Sequence, residues 1–209
     1  MENSVIMIDE IPFYYEEINI TYENAVVIDK QLAKEILLSF KRVLDNASLP
    51  FLLMHGTLLG AVREHNFIEH DIDIDVCVSD ESSFRRLIPI LKENNLYLCR
   101  YQEGIIYSFI RGEVYIDVYI AHKASWWLDL LGYCYYCGAI FPKKYIYNVR
   151  KMNFLNEEFL VPSKIENLLR FWYGKTWRIP IKDKPSEDSI GWLRLYLKIK
   201  SKIFNKHSN

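Results

Sequence analysis

The chain has 209 residues, half of them hydrophobic and a quarter charged, which suits one ordinary domain with a real core and excludes a disordered or fibrous chain. Its 26 basic and 27 acidic residues leave a formal net charge of −1, which argues against coating nucleic acid through bulk charge. No apolar run approaches the roughly 18 residues of a spanning helix, and the acidic N-terminus is unlike the basic start of a signal peptide, so a soluble, cytoplasmic chain is expected.

After a Tyr-rich lead-in, Asp29 is placed to cap a helix reaching about Asn46. Leu32, Ala33, Ile36, Leu37, Phe40, Val43, Leu44 and Ala47 keep helical spacing there. Pro50 precedes a short apolar strand over residues 51–54, which His55-Gly56 breaks, and residues 57–63 read as a short helix. Strict alternation predicts a strand over residues 72–78. Asp80 or Ser82 can cap the next helix, whose apolar face holds Phe84, Leu87, Ile88 and Leu91 and which Pro89 should kink. Strands over 105–110 and 114–121 follow, joined by a tight turn at Arg111-Gly112-Glu113. Residues 126–141 are aromatic and fit neither pattern. A hairpin across Asn156 leads to Pro162, and Ser163 is placed to cap a helix that Gly174 ends. The pattern predicts an α+β (mixed α/β) fold around one sheet.

Four cysteines do not make a disulfide framework. Cys77 and Cys99 read as small buried hydrophobes. Cys134 and Cys137 form a C-x-x-C, but no second pair answers it for zinc, and His122 is the nearest upstream ligand type. Thiols buried between aromatic residues are the expectation.

The strongest chemical signal is the row His70-Asp71-Ile72-Asp73-Ile74-Asp75-Val76. On a strand, Asp71, Asp73 and Asp75 share one face while Ile72, Ile74 and Val76 take the other. Like charges stacked on one face repel, and a divalent cation with phosphate oxygens would compensate them. The alternative is a solvated outer face. A calcium loop is excluded, because Val76 and Ser82 stand where it needs Gly and Glu. Asp117 interrupts a strongly β-forming run and is costly if buried alone. It would either join Asp73 and Asp75 in a cluster able to clamp a phosphoryl centre or pair with Arg111 or Lys123. His55-Gly56-Thr57 sits where a strand turns into a helix, a place suited to an anion, and Arg63 could add a bidentate phosphate contact.

Together, the run His55-Gly-Thr-Leu-Leu-Gly-Ala-Val-Arg63, Phe67-Ile68 and Asp71-x-Asp73-Ile-Asp75 resembles the LicD/fukutin family of the nucleotidyltransferase superfamily. Phe141-Pro142, Val161-Pro162, Tyr173-Gly174-x-x-Trp177 and Pro180 are similar too, so the resemblance covers about residues 32–180. It implies a nucleotidyltransferase-like small mixed sheet flanked by helices, in a catalytic domain taken as 1–180; the remaining 181–209 read, from their own charge and periodicity, as a basic amphipathic, helical C-terminal tail. The resemblance implies an enzyme, a LicD-type CDP-alcohol phosphotransferase. Such an enzyme moves phosphocholine from CDP-choline, or ribitol phosphate from CDP-ribitol, onto a cell-surface glycan or its lipid-linked precursor. Carried over by position, Asp73, Asp75 and Asp117 are the catalytic, metal-binding acids for Mg2+ or Mn2+. His55, Gly56, Thr57, Arg63 and Asp71 form the substrate side. The chain departs from the family at His65 and Asn66, where glycines are usual, and at Glu69-His70-Asp71-Ile72, where Pro-Trp-Asp-Asp is usual. His65 and His70 read as loop residues. A choline head group would need an aromatic cage, with Trp126, Trp127, Tyr133, Trp172 and Tyr173 as candidates. A nucleotidylyltransferase that adds NMP, or a degenerate nucleotide- or glycan-binding member, are the alternatives.

The near-neutral charge hides a skew. Five of the 26 basic residues and none of the 27 acidic ones fall in residues 191–209, leaving 21 against 27 in the rest. In this tail Trp192, Leu195, Tyr196, Ile199 and Ile203 keep helical spacing, with Arg194, Lys198, Lys202 and Lys206 off the stripe. Such a helix can lie peripherally on an anionic membrane or dock on the protein's own core.

Overall fold

Asp29 does cap the first helix: its carboxylate accepts from the Gln31 and Leu32 N–H groups at 2.8 and 3.1 Å, satisfying two donors the helix cannot. In the computed structural model, which describes residues 3–20 and 26–180, this helix α1 runs Lys30–Asn46. The described residues form two compact units, one ending at Pro162 and one beginning at Ser163.

The first unit is built on a mixed sheet. Its strands are β3 (Phe51–Leu53), β4 (Asp73–Val78), β5 (Tyr97–Gln102), β6 (Ile106–Arg111), β7 (Val114–Lys123), β10 (Val149–Phe154) and β11 (Glu157–Pro162), in the order β10-β11-β3-β4-β7-β6-β5. The β3–β4 and β6–β7 pairs are antiparallel, whereas β4 and β7 run parallel. A short hairpin of β8 (Tyr133–Tyr136) and β9 (Ala139–Pro142) adds to the end of β7. The strands expected over 51–54, 72–78, 105–110, 114–121 and across Asn156 all form in this sheet, and β5, β8 and β9 are added to them.

One face of the sheet makes the core. Phe51 lies opposite Val78 and Leu53 opposite Val76, so these share a face with Ile74. That face meets α1, whose Phe40 ring stands edge-on to Phe51 at 5.2 Å. Ile116 and Val118 continue it on β7, and Phe84 fills it from above, 6.0 Å from the Phe109 ring. Phe84 belongs to α3 (Glu81–Arg86), which Asp80 caps; Pro89 opens a separate α4 (Ile88–Glu93), so the kink expected there is a break. The other face of the sheet holds the alternating acids.

Several local expectations change. His55 begins helix α2 (His55–Arg63) rather than ending the strand, with φ of +42°. The lead-in forms a hairpin of β1 (Asn3–Ile8) and β2 (Ile11–Glu16), turned by Asp9 and Glu10 with positive φ. Residues 126–141 resolve into α5 (Trp126–Leu130) and the β8–β9 hairpin, followed by α6 (Lys144–Tyr147). The hairpin across Asn156 is confirmed, with Leu155 and Asn156 both at positive φ.

In the second unit, α7 (Ile165–Tyr173) buries Ile165, Leu168, Leu169 and Trp172, and Gly174 ends it at φ +78°. Its N-cap is Lys164 with no side-chain hydrogen bond, so Ser163 does not cap it. No helix among the described residues is long and apolar enough to cross a membrane. The basic tail with its expected amphipathic helix lies outside the described residues.

Candidate active site

The parallel register of β4 and β7 sets Asp75 directly beside Asp117, and Asp73 beside Tyr115. Because side chains alternate, Asp73, Asp75 and Asp117 occupy one face, opposite the α1 core. Ser108 of β6 lies next to Asp117, and Arg100 of β5 next to Ser108, so a polar row crosses four strands. Asp75 and Asp117 are 5% and 3% exposed, far below what an acid tolerates without compensation.

Three groups hold these acids. The Gly56 N–H donates to Asp75 Oδ2 at 2.9 Å, and the Asp75 N–H donates to Thr57 Oγ at 2.8 Å, stitching the first turn of α2 to β4. Arg100 donates from Nη2 to Asp117 Oδ2 at 2.7 Å and from Nε to Ser108 Oγ at 2.8 Å. Asp71 precedes β4 but reaches the same place, since a Cβ built on Gly56 would lie 2.9 Å from Asp71 Oδ2 and 3.2 Å from Asp75 Oδ2. Only glycine leaves room for both carboxylates.

Burial, reinforced by the neighbouring acids, drives the carboxyl groups toward the neutral form. Desolvation, then Glu64, pushes Asp71 up to about 6, with Arg63 and a backbone N–H opposing. Desolvation and the charges of Asp117 and Asp71 push Asp73 up to about 7. Asp75 is raised well above the ordinary range by burial and by Asp73, Asp71 and Asp117. Burial also raises Asp117, against which Arg100 and Ser108 act.

His55 forms one wall. Its ring lies 4.8 Å from Tyr119 and nearly parallel to Tyr136, whose hydroxyl shares a 2.7 Å hydrogen bond with His55 Nε2. Burial pushes this imidazole down to about 4, so it is neutral at physiological pH. A non-glycine residue at φ +42° stores backbone strain beside the acids.

The sequence-derived set therefore divides. Asp71, Asp73, Asp75, Asp117, His55, Gly56 and Thr57 converge. The Gly56 N–H and Thr57 hydroxyl are engaged by Asp75, and Arg63 is paired with Glu64 at 2.5 Å. Asp117 pairs with Arg100, not with Arg111 or Lys123. His65 and His70 are exposed loop residues, and His65 takes the φ of +52° that its glycine counterpart would adopt freely. All four cysteines are free thiols, with Cys77, Cys99 and Cys134 buried. Of the aromatic cage candidates, Trp126, Trp127 and Tyr133 are exposed on the segment after β7, while Trp172 and Tyr173 belong to the second unit. Arg100, Ser108 and Tyr136 join the site without any motif in the sequence that singles them out.

As they stand, no three His, Cys, Asp or Glu side chains among the described residues are gathered closely enough to hold a metal ion. The donor set still suits a hard cation, which takes carboxylate oxygens. Asp71 Oδ2 and Asp117 Oδ1 are buried without a hydrogen-bond partner, and each neighbouring charge raises the cost of leaving them so.

The fold is that of nucleotidyltransferases. The solution structure of the antibiotic-resistance factor ANT(2'')-Ia matches with a TM-score of 0.52 at 14% identity, over 85% of this chain and 97% of that one. The lincomycin-bound lincosamide antibiotic adenylyltransferase LnuA matches with a TM-score of 0.51 at 12% identity, over 80% and 96%. The family model described as LicD/FKTN/FKRP, nucleotidyltransferase domain, matches residues 48–164, and the chain belongs to that family. Residues 48–164 contain every acid of the site. An uncharacterized protein of Rickettsia typhi is 31% identical over 131 residues, 61% of this chain and 41% of that protein. Ribitol-5-phosphate transferase FKTN is 28% identical in Mus musculus, over 76% of this chain and 36% of that protein, and 26% identical in Homo sapiens, over 81% and 38%. The chain thus spans less than half the length of these curated relatives.

Proposed function

We propose that the chain is a cation-dependent transferase that moves a phospho-alcohol from a CDP-linked donor to a hydroxyl of a glycan or lipid-linked glycan. The observation that carries this reading is the Asp75–Asp117 pair set side by side on parallel strands, with Asp73 and Asp71 beside it and two buried oxygens unpartnered. Membership of a family whose relatives include ribitol-5-phosphate transferases supports the phospho-alcohol class. Phosphocholine, from CDP-choline, is the transferred group expected from the family resemblance, and ribitol 5-phosphate is the group the relatives' name suggests.

Asp73, Asp75 and Asp117 would hold the Mg2+ or Mn2+. Bound there, the ion would neutralise the donor's pyrophosphate charge and the developing charge on the leaving nucleotide. The protein does the rest by position. Gly56 and Thr57 fix Asp75, and Arg100 with Ser108 fixes Asp117. The acceptor oxygen attacks the phosphorus that bears the alcohol, the pyrophosphate P–O bond breaks, and CMP leaves. Asp117 would take the acceptor's proton.

The reading is tested by incubating the chain with CDP-choline or CDP-ribitol, Mg2+ and a glycan acceptor, then measuring CMP release and the mass gained by the acceptor. Gain of the phospho-alcohol with CMP released supports the proposal; gain of NMP would replace it with nucleotidylyl transfer. Asp73→Asn should abolish transfer while the fold persists, and an active variant would overturn the assignment. Mg2+-dependent donor binding without any product would leave a degenerate binding module.

A further inference from the structure

Beyond the end of β7 the chain exposes apolar side chains that the proposed reaction does not use. On α5 and just after it, Trp126 and Leu130 are each 80% exposed and Leu131 is 65% exposed. Leu128 on the same helix is buried and anchors the tip to the body. Beside this tip an open pocket of about 560 Å³ is lined by Lys123, Lys143, Lys144 and Tyr133, with Asp129 its one acid. Lys143 is tied to that acid, 3.0 Å from the carboxylate and 2.7 Å from the backbone carbonyl. Three lysines against one aspartate leave the pocket positive.

We propose that this tip and pocket form a docking surface for an anionic lipid bilayer. The side-chain types favour a bilayer over a protein partner. Protein interfaces are depleted in lysine, whereas a bilayer surface accepts all three components together. Tryptophan sits at headgroup depth, leucine reaches the acyl boundary, and lysine meets lipid phosphate. The positive pocket complements the negative charge of such a surface. The placement also has a consequence for the site. Lys123 ends the strand that carries Asp117, six residues and about 20 Å away at strand rise, and Tyr136 of the adjoining hairpin touches His55. Docking would therefore hold the carboxylate face at a fixed height above the membrane.

Vesicle binding can be read whether or not the chain turns over a donor. The full chain is sedimented with vesicles of phosphatidylcholine alone and of three parts phosphatidylcholine to one part phosphatidylglycerol. The expected result is binding to the anionic vesicles that falls roughly ten-fold in Trp126→Ser/Leu130→Ser/Leu131→Ser. In Lys123→Gln/Lys144→Gln the preference for phosphatidylglycerol should disappear. Both variants change exposed residues, and an unaltered melting temperature confirms that they fold. Undiminished binding by the triple variant would overturn the proposal and place the contact elsewhere, as would no binding to either vesicle. Self-association abolished by the triple variant would overturn it too, by making the occupant a second copy.

Discussion

Arg100 Nη2 lies 2.7 Å from Asp117 Oδ2 while the other Asp117 oxygen is buried without a partner. The guanidinium thus supplies part of the compensation that a buried carboxylate needs, and a divalent cation would supply more. Removing Arg100 leaves Asp117 buried with Ser108 alone, which should cost the metal-free protein about 2 kcal/mol. It also removes a positive charge from beside the acids, so cation affinity should rise. Arg100→Gln is therefore expected to lower the melting temperature in EDTA and to enlarge the stabilisation that Mg2+ or Mn2+ gives. A cation-induced shift equal to that of the unaltered chain would show that Arg100 does not balance the site.

That arginine also marks where the sequence stopped being legible. Alternation along residues 71–76 puts Asp71, Asp73 and Asp75 on one face, because that run keeps an unbroken period of two. It leaves Asp117 free either to join them or to pair with Arg111 or Lys123; the parallel β4–β7 register decides for the first. On β5 the register slips: Leu98 pairs with Phe109, but Arg100 pairs with Ser108, leaving Cys99 as an extra residue. Without this bulge Arg100 would oppose Tyr107 and point into the α1 core. Nothing in Leu98-Cys99-Arg100 announces the slip, since a bulge depends on the partner strand as well as its own. Tyr136 was hidden for a related reason. The run of aromatics from Tyr133 to Tyr136 has no polar alternation to read, and β8 gains its identity only by pairing with the end of β7.

The two glycines of the His55-to-Arg63 run should separate site from fold. A Cβ on Gly60 would lie 2.5 Å from the Asn66 carbonyl oxygen and 3.0 Å from the Ile68 nitrogen, both backbone atoms that cannot rotate away. Gly60→Ala must move the 65–68 loop and should destabilise the chain by about 1–3 kcal/mol. The three atoms nearest a Cβ on Gly56 are instead carboxylate oxygens of Asp71 and Asp75, the ends of side chains. Gly56→Ala should unfold nearly as late as the parent yet lose cation and donor binding. Denaturant midpoints and calorimetry on both variants check this; equal loss of stability in the two would refute it.

The Tyr136 hydroxyl to His55 bond links the β8–β9 hairpin to the start of α2, where the backbone is strained. Its loss in Tyr136→Phe should cost about 1 kcal/mol and loosen the His55 wall. Denaturant unfolding reads the first effect. Faster amide exchange across residues 133–142 reads the second, and unchanged exchange would mean that the hairpin is held by its apolar contacts alone.

Protonation gives the sharpest test of the acid cluster in the absence of metal. Asp73 rises from an ordinary 3.8 to about 7 and Asp71 to about 6, and Asp75 is raised well above the ordinary range too. Across that window the folded chain holds protons that the unfolded chain has released, so these groups lower stability as pH rises. His55 works the other way: its fall from 6.5 to about 4 makes the folded chain the poorer proton acceptor there, and stability drops on acidification. The two trends overlap between about pH 4 and 6.5, so the raw melting curve mixes them. Comparing Asp73→Asn with the unaltered chain in EDTA cancels the His55 contribution. The variant should melt higher at pH 8, and its advantage should shrink as pH falls to 5, because the native Asp73 is then already neutral. Mg2+ should reverse the order at pH 8 by favouring the ionised cluster. A difference between the two chains that stays constant with pH would mean that Asp73 is not held near neutrality by its surroundings.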